Sequence, residues 1–293
     1  MSWRKNLKGK ITLGEPLKKH TTFKIGGPAR FFIEPYDVAD LKLLLASARK
    51  YKIPVLIIGQ GSNILASDKG VRAIVLKFGS AFFRRISIRD NCLEAGCGIT
   101  LSQLIKSAQQ HDLSGVEFLA GIPGTLGGAL AMNAGAWGRN IGDLMQKATV
   151  MDYRGNIRTI TKREIRFGYR KSGLSKYIIL SATMKLIRKN KKEIRGNINK
   201  YLERRQNTQD ASLPNAGCIF KNPQRISAGR LIDLCGLKGK RVGGAVVSLR
   251  HANFILNYKQ AYARDVIKLM ALIKKRVKQK FNISLEPEIK IWK

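Results

Sequence analysis

Gly121-Ile122-Pro123-Gly124-Thr125-Leu126-Gly127-Gly128-Ala129-Leu130-Ala131-Met132-Asn133-Ala134-Gly135-Ala136-Trp137-Gly138 is the stretch on which the fold turns. Glycine lacks Cβ, so a backbone rich in it can enter left-handed conformations and come close to a bound group. Successive N–H groups in such turns form nests suited to a pyrophosphate. Ala129, Ala131, Ala134 and Ala136 leave room beside the backbone for a broad planar ligand. A second glycine turn lies upstream, Gly59-Gln60-Gly61-Ser62-Asn63-Ile64-Leu65. Ser62, Asn63 and Thr125 can add side-chain hydrogen bonds. Neither turn is a Rossmann GxGxxG or a Walker loop, which disfavours Rossmann-type nicotinamide binding and P-loop ATP hydrolysis. One glycine turn is usually just a turn. Two in one chain, the second packed with small residues, point to a phosphate-bearing ligand.

Working outward, Val55 to Ile58 is a compact apolar run that enters the upstream turn and reads as a buried strand. Leu41, Leu44, Leu45 and Ala48 recur at helical spacing behind Asp37, an N-cap candidate. Thr100 and Gln103 fit a capping box, followed by Leu104, Ile105 and Ala108 on one face. Val71 to Leu76 and Ala148 to Met151 read as further strands, and Tyr153-Arg154-Gly155-Asn156 as a hairpin turn. Arg188 to Lys200 is charged and poor in apolar residues, and is the expected domain junction. Beyond it, Ala228 to Cys235 reads as a short helix ended by Gly236. Ala245 to Val247 and Phe254 to Leu256 are strand candidates. Val266, Met270, Ile273, Val277 and Phe281 mark a long amphipathic helix.

The chain has 293 residues, enough for two or three domains of about 100–150 residues each. The expected divisions are 1–55, 56–188 and 200–293. Fifty-five Lys and Arg against 19 Asp and Glu give a net charge of +36. Such an excess attracts anions: nucleic acid, an anionic membrane surface or phosphorylated small molecules. The basic runs (Lys18-Lys19, Arg84-Arg85, Arg188 to Lys192, Arg204-Arg205, Lys238 to Arg241, Lys274 to Lys280) are scattered. A dedicated nucleic-acid face is denser and interleaved with aromatics, so solvated faces are expected and no specific nucleic-acid partner. No apolar run has the length of a signal peptide or a membrane span, so a cytoplasmic location is expected. Cys92, Cys97, Cys218 and Cys235 form no CxxC pair and only three His exist, so no metal site is expected.

The ordered motifs Thr22-Phe23-Lys24-Ile25-Gly26-Gly27, the two glycine runs and Phe167-Gly168-Tyr169-Arg170-Lys171-Ser172 resemble the FAD-binding part of the UDP-N-acetylenolpyruvoylglucosamine reductase family. Asn215-Ala216-Gly217-Cys218-Ile219-Phe220-Lys221-Asn222-Pro223, His251-Ala252-Asn253-Phe254-Ile255 and Leu285-Glu286-Pro287-Glu288 resemble its C-terminal part, in the shorter, type II form. The resemblance runs from about residue 20 to 291. It implies an α+β architecture: the p-cresol methylhydroxylase (vanillyl-alcohol oxidase) type FAD-binding fold with a C-terminal α+β substrate-binding domain. It also implies non-covalent FAD, NADPH as hydride donor and UDP-N-acetylglucosamine-enolpyruvate as the substrate reduced in peptidoglycan precursor synthesis. Oligomeric state stays open, with a monomer expected. Two alternatives remain: an FAD-dependent sugar or alcohol oxidase of the same fold, and a basic nucleic-acid-binding protein.

By the same resemblance, cofactor contacts fall to Gly59, Gly61, Ser62, Asn63, Gly121, Ile122, Pro123, Gly124, Thr125, Gly127, Gly128, Ala129, Asn133 and Gly135. Arg170, Cys218 and Glu288 are the expected catalytic residues, and Tyr169, Asn222 and Lys290 the substrate-binding ones. Arg170 offers a permanently charged fork to the substrate carboxylate. Glu288 beside a carboxylate makes sense if it is protonated or orients a donor. Two positions depart from the family pattern. Cys218 stands where Ser is usual as proton donor; a thiol, with an unperturbed pKa of about 8.5, can donate a proton but is larger. Its other reading is a buried, inert Cys. Lys290 stands where Arg is usual, a point charge in place of a fork.

Overall fold

The computed structural model describes residues 2–293; Met1, counted in the expected first subdomain, lies outside them. The helices are α1 (Val38–Lys50), α2 (Leu101–Gln110), α3 (Leu126–Ala131), α4 (Ile141–Leu144), α5 (Lys191–Thr208), α6 (Ala228–Leu234) and α7 (Ala263–Phe281). Strands Lys10–Pro16, Pro28–Glu34, Val71–Lys77 and Val55–Ile58 form a sheet in that order. Its last pair is parallel, with Val55 opposite Ile74.

The chain divides into two compact units, each discontinuous in sequence. The first comprises Met1–Thr12, Phe31–Gly59 and Ala73–Arg204. At its centre is a five-stranded antiparallel sheet in the order Ile157–Thr161, Met145–Met151, Ile178–Lys185, Cys92–Gly96, Ile86–Arg89. The middle strand is buried from Ile178 to Met184, as a strand covered on both faces must be. α1 presents Leu41, Leu44, Leu45 and Ala48 to the core. It begins where expected: the Asp37 carboxylate accepts the Asp40 N–H at 2.8 Å, a cap worth about 1 kcal/mol. α2 carries the expected reciprocal box between Thr100 and Gln103. The Tyr153–Asn156 turn is tied by Asp152, which accepts from the N–H groups of Arg154 (2.8 Å) and Asn156 (2.9 Å).

Two segments are helices that the sequence reading did not place. Leu126–Ala131, read as glycine turn, is helix α3: Thr125 caps it and Gly127 packs closely on Cys97. Residues 188–200, read as a junction, lie largely in α5, whose Ile194 alone is buried. A helix polar all round shows no apolar stripe in sequence.

The second unit comprises Leu13–Arg30, Gln60–Arg72 and Arg205–Lys293. Its antiparallel sheet runs Asn215–Cys218, Phe254–Asn257, Ala245–Val247, Arg241–Val242. α7 covers its core with Val266, Leu269, Met270, Ile273 and Val277 and ends at Asn282, in the left-handed conformation. Lys290–Trp292 pairs in parallel with Ile64–Ala66. No helix of the described residues is long and apolar enough to cross a membrane.

Candidate functional site

In the second unit, the upstream turn is built on Gly61. Its φ is +64°, and a Cβ there would lie 2.2 Å from the His20 carbonyl oxygen, so no side chain fits. The N–H groups of Gln60, Gly61, Ser62 and Asn63 donate to no group among the described residues. Four consecutive N–H groups left to a ligand suit phosphate oxygens. Asn63 is fixed from behind: its Nδ2 donates to the Glu288 carbonyl at 3.2 Å, and its carbonyl accepts the Lys290 N–H at 2.9 Å.

The downstream run lies in the first unit and is wired differently. The N–H groups of Leu126, Gly127 and Ala129 bond the carbonyls of Ile99, Cys97 and Thr125. That of Gly128 bonds Thr125 Oγ1 at 3.3 Å, and that of Ile122 bonds the Leu119 carbonyl at 3.0 Å. Gly127 sits so close to Cys97 that an added Cβ would be 3.0 Å from that residue's own. Gly59 abuts this run, an added Cβ lying 2.6 Å from Thr125 Oγ1. Gly121, Pro123 and Gly124 form the lead into the helix, with Gly121 at φ +75°.

Asn133 is buried and left-handed (φ +45°). Its Nδ2 donates to the Gly168 carbonyl at 3.1 Å, and its Oδ1 accepts the Gly142 N–H at 3.1 Å. It thereby braces the short hairpin Phe167–Gly168/Lys171–Ser172, whose tip is Tyr169-Arg170. Arg170 is itself left-handed, at φ +53°, a conformation costing about 1–2 kcal/mol for a residue with Cβ. Its Nη1 donates to the Gly135 carbonyl at 3.1 Å, and its guanidinium lies 5.2 Å from the centre of the Tyr169 ring. Tyr169 is exposed.

The expected residues of the C-terminal part gather in the second unit. Residues 219–221 run beside 286–288: Glu288 N–H bonds the Ile219 carbonyl at 2.8 Å, Lys221 N–H the Glu286 carbonyl at 2.9 Å, and Phe220 pairs with Pro287. Cys218, half-buried, therefore precedes a segment bonded to the backbone of Glu288. Asn222 is exposed and its Oδ1 accepts the Ala228 N–H at 3.0 Å, near the start of α6. Lys290 is exposed. Burial pushes the thiols of Cys97 and Cys235 up, which disfavours them as proton donors.

Asn253 was not singled out by the sequence reading. It is 2% exposed and grips the Phe220 backbone at both ends: its Oδ1 accepts the Phe220 N–H at 2.9 Å and its Nδ2 donates to the Phe220 carbonyl at 2.7 Å. Its own carbonyl accepts the Ile219 N–H. The available signal was a polar residue directly before the apolar strand candidate Phe254 to Leu256, a buried position that demands hydrogen-bond partners.

Comparison with known proteins gives these loops a family. Residues 206–292 match the model of the C-terminal domain of UDP-N-acetylenolpyruvoylglucosamine reductase, and residues 29–161 that of an FAD binding domain. The UDP-N-acetylenolpyruvoylglucosamine reductase of Caldanaerobacter subterraneus subsp. tengcongensis is 43% identical over 285 residues, 97% of this chain and 94% of that one. The chain belongs to the UDP-N-acetylenolpyruvoylglucosamine reductase family. The crystal structure of the reductase from Thermus caldophilus is 36% identical and superposes with a TM-score of 0.82, covering 98% of this chain and 100% of that one. The 6-hydroxy-D-nicotine oxidase from Arthrobacter nicotinovorans shares the fold of 62% of this chain and 43% of its own, at 17% identity and a TM-score of 0.50. The reductase-family chain thus has the vanillyl-alcohol oxidase type FAD-binding fold and a C-terminal domain, as its motifs implied.

Proposed function

We propose that this chain reduces the enolpyruvyl group of UDP-N-acetylglucosamine-enolpyruvate to UDP-N-acetylmuramate, with NADPH as reductant and FAD as bound cofactor. The family supports the reaction. The structure supports the cofactor: the N–H groups of residues 60–63 fit a pyrophosphate. Gly127, Gly128 and Ala129 offer a small-residue surface instead of an anion nest, since their N–H groups are engaged. When bound, FAD would supply the hydride chemistry that links NADPH to C3 of the enolpyruvyl group.

The chain's residues do the rest. Hydride arrival leaves added negative charge on the carboxylate end of the substrate and requires a proton at C2. Arg170 holds that carboxylate with its fixed charge, and Tyr169 flanks it. Cys218 gives the Sγ proton to C2; the new C–H bond forms as S–H breaks, and solvent reprotonates the thiolate. Glu288 orients the donors around the carboxylate, and Asn222 and Lys290 contact the remainder of the substrate. Asn133, Gly135 and Asn253 position these groups through the backbone. The observation that supports the reading most is the hydrogen-bonded run of 219–221 along 286–288, which sets Cys218 and Glu288 on neighbouring segments.

The domains expected at 1–55, 56–188 and 200–293 remain the proposed assignment of FAD and substrate binding. An oxidase reading fits less well, because the C-terminal match is to the reductase domain. The deciding experiment is an anaerobic visible spectrum. Added NADPH bleaches the flavin, and UDP-N-acetylglucosamine-enolpyruvate restores it. Colourless protein that takes up no added FAD, or reoxidation by oxygen and a simple alcohol alone, overturns the proposal.

The turn at Gly61 provides a separate check. Gly61→Ala places a Cβ against the His20 carbonyl and adds a left-handed penalty of about 1–2 kcal/mol. Less bound flavin per chain and a lower Tm are expected. Undiminished flavin content would show that the turn is not the phosphate cradle.

A further inference from the structure

Two of the basic runs, Lys238 to Arg241 and Lys274 to Lys280, lie in the second unit, and the first of them meets a pair of exposed aromatic rings there. The turn Tyr258–Tyr262 carries two exposed rings, 40% and 53% accessible. The Arg241 guanidinium lies over the Tyr258 ring at 4.5 Å, joined by Lys259 at 5.5 Å; Arg264 lies over Tyr262 at 4.7 Å. Arg241 comes from the basic run 238–241, remote in sequence and paired onto the same sheet. Folding thus adds Arg241 to a turn in which Lys259 and Arg264 already alternate with Tyr258 and Tyr262 along the chain.

From this turn, α7 continues the charge. Arg264, Lys268, Lys275 and Lys278 are exposed and recur at i, i+4, i+11 and i+14, one face of a 19-residue helix about 28 Å long. The carboxylates nearby are spent on backbone. Asp68 accepts the N–H groups of Ala263 (2.6 Å) and Arg264 (3.1 Å), and Asp265 those of Tyr262 (3.0 Å) and Gly244 (3.2 Å). The apolar face of α7 lies in the core, so the helix has no apolar face to lay into a bilayer, as a membrane-surface helix needs. What is left outside is a row of cations starting at two ring faces, the combination that holds bases and backbone of an unpaired strand.

We propose that the Tyr258–Tyr262 turn and the basic face of α7 bind single-stranded nucleic acid, without sequence preference and apart from the reductase reaction. The test uses the full chain with its flavin and a fluorescein-labelled oligouridylate of about 15 nucleotides, within the site sizes of such surfaces, followed by anisotropy at about 0.15 M KCl and across a salt series.

Tyr258→Ala/Tyr262→Ala is expected to weaken binding about tenfold or more, while Tyr258→Phe/Tyr262→Phe, which keeps both rings, binds as wild type does. Lys268→Gln/Lys275→Gln/Lys278→Gln is expected to lower the salt slope by about 2, at about 0.7 per phosphate contact. Flavin absorbance and reductase turnover stay unchanged in the Phe and Gln variants. Equal binding by the Ala variant and wild type overturns the proposal, leaving only diffuse attraction by the +36 charge. So does displacement of the oligonucleotide by NADPH or the UDP-sugar at concentrations that saturate turnover, which would give the rings to the reaction's own nucleotides. Loss of phosphatidylglycerol vesicle binding in the Ala variant, with oligonucleotide binding intact, overturns it in favour of a membrane surface.

Discussion

Cys218→Ala is expected to leave flavin reduction by NADPH at its wild-type rate and to slow reoxidation by the enolpyruvyl substrate about 10²–10⁴-fold, the usual worth of a positioned acid. The split matters more than the size. A thiol that only packs would, on truncation, cost stability and disturb both half-reactions. A proton donor costs the half-reaction in which the proton moves. Cys218→Ser restores a hydroxyl donor of smaller size and is expected to recover most of the lost rate. Anaerobic stopped-flow absorbance separates the two halves. Equal reoxidation rates for the Ala variant and wild type would remove Cys218 from the mechanism and hand the proton to water or another group. Cys97 and Cys235 serve as internal controls. Burial holds both thiols up, and alanine at either position is expected to leave the ratio of the two half-reaction rates unchanged.

Arg170→Gly is expected to lower reoxidation about 10²–10³-fold, the cost of losing one group that stabilises developing charge, without destabilising the fold. The sign of the stability change discriminates between roles. Glycine relieves a left-handed residue by about 1–2 kcal/mol, and the lost bond from Nη1 to the Gly135 carbonyl costs about 1 kcal/mol. The two nearly cancel, so Tm stays close to wild type while turnover collapses. A structural arginine would show the reverse, a fallen Tm with proportionate activity. Arg170→Lys keeps the charge but not the planar fork, and is expected to fall between the two, with KM for the UDP-sugar raised. Full activity in the Gly variant would exclude Arg170 from substrate binding.

Local signals in the sequence translated into structure wherever the cause was local. Asp37, the Thr100–Gln103 box and the Val266–Phe281 stripe fixed the positions of α1, α2 and α7 because caps and periodicity act within one or two turns. The glycine runs identified the right regions but not their wiring. Nothing in the order of residues 121–129 says that the N–H groups of 126–129 are consumed by Ile99, Cys97 and Thr125, whereas those of 60–63 are not. α5 was invisible as a helix because Ile194 is its one buried side chain. At the candidate site, residue types were legible through motif resemblance. The braces were not, because Asn133 and Asn253 work through backbone partners distant in sequence, Gly168 and Phe220.

The parallel pairing of Lys290–Trp292 with Ile64–Ala66 sets a clock on biosynthesis. Asn63 and the Glu288 carbonyl that anchors it are 225 residues apart. At translation speeds of about 5–20 residues per second, the earlier segment waits roughly 10–45 s for its partner to be made. Contacts of such long range are also the slow ones to close. Until residue 288 has been made, the nascent chain is therefore expected not to hold its dinucleotide firmly, so that loading of the vitamin-derived cofactor comes late in synthesis or after it.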